Sequence, residues 1–158
     1  MTDYQQLANE IVNGKGYVVL PELLSAAEAE EARSRVLKAA DSSSSENGRE
    51  RVYGLIYKGE IFEWMVQHPT VLALIEAILG DDITLGGFSA HVLHPEATSM
   101  GVHVDYPYWA MKPLFPIYPI LEVQVIWLVE DLTAENGSPV FAPGSQKFGN
   151  SPDLEHFD

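Results

Sequence analysis

His103-Val104-Asp105 sets an imidazole and a carboxylate two residues apart. On an extended backbone, residues at that spacing project to the same side, so the two groups converge. One further imidazole would complete a facial triad of two histidines and a carboxylate. Such a triad holds Fe(II) and leaves three positions open for oxygen and a chelating co-substrate. The same pair also reads as a plain His–Asp hydrogen bond at a strand end. With five histidines and eight aspartates in the chain, about 0.25 such spacings arise by chance, so the pair alone leaves both readings open. His91 and His94 lie just upstream, and with His103 and Asp105 they could make a different metal cluster.

The elements that must position these groups change character near residue 80. Tyr4, Leu7, Ala8, Ile11 and Val12 fall on one helical face, and Gly14 supplies a stop. Tyr17-Val18-Val19-Leu20 is a short β-prone run ended by Pro21. Ser25 with Glu28 three residues on predicts a capping box opening a helix to about Ala40. A serine-rich loop follows at 41–48, then an expected strand from Arg51 to Tyr57. Two short helices, Glu60–Gln67 and Thr70–Leu79, are split by His68-Pro69 and closed by Gly80. From Asp81 on, Ile83–Leu85, Phe88–Leu93, Ile120–Val129 and Pro139–Ala142 read as strands, the third with one fully apolar face. Helices first and strands afterwards predict an α+β or β-barrel domain with a helical flank.

Composition narrows the function classes. The net charge is −14, and after Arg51 there is no arginine and only Lys58, Lys112 and Lys147 among lysines. Binding to nucleic acid or an anionic membrane needs clustered cations, so neither is expected as a partner. No cysteine is present, which excludes disulfides, thiolate-ligated metals and thiol catalysis. No run of 18 apolar residues occurs, and Met1-Thr2-Asp3-Tyr4 lacks the basic start of a signal peptide. A soluble, cytoplasmic protein of one domain (1–158) is the expectation. Its first 80 residues should be mostly helical, and 81–158 should hold the opening strands of the core.

Three separated motifs carry a resemblance. They are Gly101-Val102-His103-Val104-Asp105-Tyr106-Pro107-Tyr108-Trp109; the acidic turn from Trp127 through Glu135-Asn136-Gly137-Ser138-Pro139; and Pro143-Gly144-Ser145-Gln146-Lys147. In this order they resemble the phytanoyl-CoA dioxygenase family of Fe(II)/2-oxoglutarate-dependent oxygenases. Gly16-Tyr17-Val18-Val19, His68-Pro69 and Leu79-Gly80-Asp81 extend the similarity, which runs over roughly residues 10–150.

The resemblance implies a mainly β fold with N-terminal helices: a double-stranded β-helix of jelly-roll or cupin type, lacking its last strands. It makes His103 and Asp105 iron ligands and catalytic residues. An aspartate at 105, in place of alanine or glycine, favours hydroxylation over halide binding. Trp127 matches a tryptophan lining the 2-oxoglutarate pocket in relatives, with packing on its own apolar face as the other reading. Arg51 lies where some relatives place a basic residue near the co-substrate, with a solvated charge as the other. The implied reaction hydroxylates an aliphatic carbon of a small molecule, with Fe(II) as cofactor and 2-oxoglutarate as co-substrate.

Two departures matter. The family's second iron-binding histidine and its 2-oxoglutarate arginine follow the Pro-Gly-Ser turn by some distance. Here His156, in a segment unlike that motif, is the sole histidine after His103, and no arginine follows. The expectation is a fragment of a longer product, and the alternative is a non-catalytic metal- or ligand-binding module on the same fold. The aromatic stretch Tyr106, Tyr108, Trp109, Met111, Phe115 and Tyr118 reads as a lid over substrate or a loop packed on the sheet. Nothing in the sequence sets substrate identity or oligomeric state.

Overall fold

Helix α1 (Tyr4–Asn13) begins where the Asp3 carboxylate accepts the Gln6 backbone N–H at 3.0 Å. It ends where the Gly14 N–H donates back to the carbonyls of Asn9 and Glu10. The computed structural model describes residues 3–41, 45–104, 120–148, 153 and 155. Helix α2 (Ala26–Ala39) opens on the expected capping box. The Glu28 N–H donates to Ser25 Oγ at 3.3 Å, and the Ser25 N–H donates to Glu28 Oε2 at 2.7 Å. Two of the helix's orphan donors are thereby satisfied by adjacent residues. Helices α3 (Glu60–Val66) and α4 (Pro69–Leu79) meet at His68. Pro69 sits in the first turn of α4, where its missing N–H costs nothing. Helix α1 packs on α4 with Ala8 buried.

The sheet has two antiparallel strands, β1 (Arg49–Tyr53) and β2 (Ser89–Leu93), paired from Arg49↔Leu93 through Arg51↔His91 to Tyr53↔Ser89. The connection between them is the α3–α4 segment. On β1, Glu50 and Val52 are buried while Arg51 and Tyr53 are exposed, the alternation of a sheet covered on one face. Helices cover that face. Ala32, Val36, Val52, Leu55, Ile61, Phe62 and Met65 form one buried cluster, with Phe88, Trp127 and Val129 packed against it. Phe62 is its most enclosed large side chain and meets Phe88 edge-on, ring centres 6.0 Å apart. Aromatic pairs prefer this geometry to a face-to-face sandwich.

The mainly β expectation is not what the described residues show, since they are helix and irregular chain around two strands. The strand expected at 51–57 is shorter and starts earlier. After Gly54 the chain turns into a 3-10 helix, Leu55–Tyr57, whose Leu55 N–H donates to the Phe88 carbonyl at 3.2 Å. Residues 17–20, 83–85, 120–129 and 139–142 carry no ladder hydrogen bonds among the described residues. An apolar period-2 pattern makes a strand only when a neighbour takes its backbone donors and acceptors. Trp127 and Val129 still pack inward as the alternation predicts. Among the described residues, no helix is long and apolar enough to cross a membrane.

Candidate functional site

His103 lies in the segment leaving β2, and that segment is tied to the turn preceding β1. The His94 N–H donates to the Gly48 carbonyl at 2.9 Å, and the Ala97 N–H donates to the His94 carbonyl at 2.8 Å. The Thr98 N–H reaches the Asn47 carbonyl at 3.4 Å. Gly48 has a positive φ of 72°, and a Cβ there would stand 2.5 Å from the Ala97 nitrogen. Only glycine admits both that backbone conformation and that approach.

His103 itself is exposed, with Nδ1 3.0 Å from the Gly101 carbonyl. A proton on Nδ1, donated to that carbonyl, leaves the lone pair on Nε2. Metal-ligating histidines use this tautomer, held by this kind of hydrogen bond. The donor chemistry at 103 therefore fits a metal. Asp105, His156 and the aromatic stretch 106–118 lie outside the described residues. Among the described residues no three His, Asp or Glu side chains are placed to hold an ion. His91, His94 and His103 are thus not gathered into one site, and Asp105, the fourth member of that alternative cluster, lies outside the described residues.

Arg51 stands on the exposed face of β1. Its Nε donates to Ser89 Oγ at 2.9 Å, and its guanidinium lies 5.2 Å from the centre of the Tyr53 ring. With Glu46, Asn47, Arg49, Glu50, His91 and Met100 it lines a pocket of about 280 Å³. Met100 comes from the same segment as His103. Trp127 does not line this pocket. It is half-buried against the helical core, edge-on to the His68 ring at 5.8 Å. The structure brings Arg51 next to the His103 segment and leaves Trp127 on the core side.

The other two motifs have clear structural work. In the acidic turn, Asn136 Oδ1 accepts the Thr133 N–H at 2.6 Å while its Nδ2 donates to the Asp131 carbonyl at 2.8 Å. One side-chain amide thus closes the turn from both sides. Gly137 follows at φ 93°, and a Cβ there would be 2.5 Å from Leu93 Cδ1, so glycine lets the turn settle on β2. In the Pro-Gly-Ser turn, Gln146 Nε2 lies 3.2, 3.4 and 3.2 Å from the carbonyls of Ile11, Val12 and Gly14. Lys147 Nζ donates to the Asn13 carbonyl at 2.9 Å. This turn caps the carboxyl end of α1, meeting its orphan carbonyls with donors and a cation.

Two buried polar groups escaped sequence reasoning. Glu50 is 3% exposed, accepts the Asp41 backbone N–H on Oε1, and holds Oε2 3.6 Å from His94 Nε2. Its position in phase with Val52 was the available signal, because a residue two from a core valine on a strand faces the core. His68 is 9% exposed, wedged between Trp64 at 4.9 Å and Trp127. In the sequence His68-Pro69 marks a helix break and a point of family resemblance, and neither signals this burial.

Comparison with known proteins bears on the site as a whole. The phytanoyl-CoA dioxygenase family profile matches residues 12–158, His103 and Asp105 included. The chain belongs to the phytanoyl-CoA dioxygenase family. Among curated proteins it is similar to a dioxygenase, af480, of Aspergillus fumigatus. The two are 32% identical over 158 aligned positions, covering 88% of this chain and 50% of that protein. The chain spans about half the length of that relative. No solved structure matches it. Phytanoyl-CoA dioxygenase family members have a cupin or jelly-roll fold and in general depend on Fe(II) and 2-oxoglutarate. Kinship with them supports an oxygenase-type function.

Proposed function

We propose that the protein is an Fe(II)- and 2-oxoglutarate-dependent dioxygenase that hydroxylates an aliphatic carbon of a small molecule. The observation that carries this is the family match spanning the His103–Asp105 pair. The Nδ1–Gly101 contact supports it by orienting His103 as a ligand-type imidazole. His103 and Asp105 would hold the iron, which with 2-oxoglutarate and oxygen supplies the oxidising power and leaves succinate and carbon dioxide as by-products.

The chain's own residues set the geometry. The Gly101 carbonyl keeps the proton on His103 Nδ1. Ser89 fixes the Arg51 guanidinium through Nε, and its other N–H donors would meet a co-substrate carboxylate in the pocket, where a planar fork suits two oxygens. Trp127, assigned to the co-substrate pocket by resemblance, packs instead on the helical core beside His68. In the double-stranded β-helix we propose, β1 and β2 belong to one sheet and residues 120–129 add to it.

Succinate release tests the reading. The protein supplied with Fe(II), 2-oxoglutarate, oxygen and ascorbate, which reduces the second oxygen atom in the absence of a substrate to hydroxylate, should form succinate, and His103→Ala should abolish it. Iron binding without succinate would identify a non-catalytic metal-binding module instead.

A further inference from the structure

Glu50 is an acid in the wrong place for a surface residue. It sits on the helix-covered face of β1, in register with Val92 of β2. His94 is two residues past Val92 and so is the diagonal neighbour of Glu50 on that face. The carboxylate touches two separate pieces of chain. Oε1 takes the N–H of Asp41, just past the end of α2, and Oε2 faces His94 Nε2 at 3.6 Å. Among the described residues neither Oε2 nor His94 Nε2 has a hydrogen-bond partner, and at 3.6 Å the two face each other at ion-pair distance. A buried carboxylate and a buried imidazole nitrogen without other partners are costly apart, and each is the natural partner of the other.

We propose that Glu50 and His94 form a buried carboxylate–imidazole latch that positions the segment carrying His103. The proposal rests on the reading of His103 as an iron ligand. His94 is the corner where the chain leaves β2. Its backbone N–H and carbonyl engage Gly48 and Ala97, and Thr98 is bonded to Asn47. Arg49 adds a contact from its guanidinium to Thr98 Oγ1 at 3.4 Å. His103 lies nine residues past His94 on this segment, with Nδ1 3.0 Å from the Gly101 carbonyl, so the corner sets where the segment that carries it leaves the sheet. Glu50 holds the corner from inside the core and, through Asp41, against the end of α2. It is a positioning residue and touches no reacting atom.

The test compares Glu50→Ala with Glu50→Gln, which keeps an acceptor for Asp41 and gains a donor for His94. Leu74→Ala in α4 serves as a control for plain loss of stability. Amide exchange at Ala97 and Thr98 and the His103 Cε1–H resonance are followed without metal. Fe(II) affinity is then measured where every variant is folded. Glu50→Ala should raise exchange at both amides and shift the His103 resonance, and should weaken iron binding by about tenfold. Glu50→Gln should restore most of each, and Leu74→Ala should change none.

If Glu50→Ala does not fold, His94→Ala opens the latch from its more exposed side and should give the same changes. Exchange in Glu50→Ala or His94→Ala no faster than in Leu74→Ala would overturn the latch. Faster exchange with unchanged iron affinity would overturn its positioning role. If the wild type binds no Fe(II), the dioxygenase reading fails, while the exchange and the His103 resonance still decide the latch.

Discussion

Glu28 closes the capping box of α2 with its charge as well as its shape. Hydrogen bonds from the Ser25 side chain and backbone, with a smaller contribution from the charge of His68, hold its carboxyl below the ordinary value of 4.5. A carboxyl lowered in the folded state stabilises the fold above its unfolded value. That stabilisation is lost as pH falls through the lowered folded value. Urea midpoints of the wild type and Glu28→Gln should therefore differ most near neutrality and converge in acid; a constant gap would contradict this. This box was legible because its partners are three residues apart. Glu50 was not, because its partners are the backbone of residue 41 and the side chain of residue 94. Alternation shows which face a strand residue takes, but not what waits for it there. His103 and Asp105 were legible as a pair only through the motifs around them.

Helix α1 illustrates how an element is completed from far away. Its extent was readable from its own stripe and Gly14, but its carboxyl end is capped by Gln146 and Lys147, more than 130 residues later. Gln146→Ala leaves three carbonyls of that end to solvent and loses side-chain hydrogen bonds worth about 1 kcal/mol. The expected result is a lower urea midpoint together with faster amide exchange in the last turn of α1. An unchanged midpoint would show the cap to be without weight. The turn itself was recognisable from Pro143-Gly144-Ser145, whereas its docking partner was not, since no local pattern encodes a contact of that span. Residues 120–129 show the converse. Their alternation correctly gave the inward side chains, Trp127 and Val129, but pairing depends on a neighbour the pattern does not name. The same holds for the short runs at 17–20, 83–85 and 139–142.

For the molecule as a whole, 23 acidic against 9 basic residues make self-repulsion a larger electrostatic effect than the surface ion pairs. Arg33–Glu130 and Arg35–Glu31 are exposed, and such pairs contribute about 0–1 kcal/mol each. Moderate sodium chloride should therefore raise the melting temperature, because screening relieves more repulsion than attraction; a fall would assign the ion pairs the larger share. The helical flank followed from patterning, and the family from three motifs in order, whereas the antiparallel pairing of β1 with β2 did not. The division of the sheet into a helix-covered face and a face bearing Arg51 required coordinates. We propose that His103 and Asp105 hold a catalytic iron. Anaerobic titration of the protein with Fe(II) and 2-oxoglutarate, followed by the metal-to-ligand visible band, tests it most directly. The band should appear in the wild type and vanish in His103→Ala; a band that survives in His103→Ala, or never forms in the full-length protein, would contradict it.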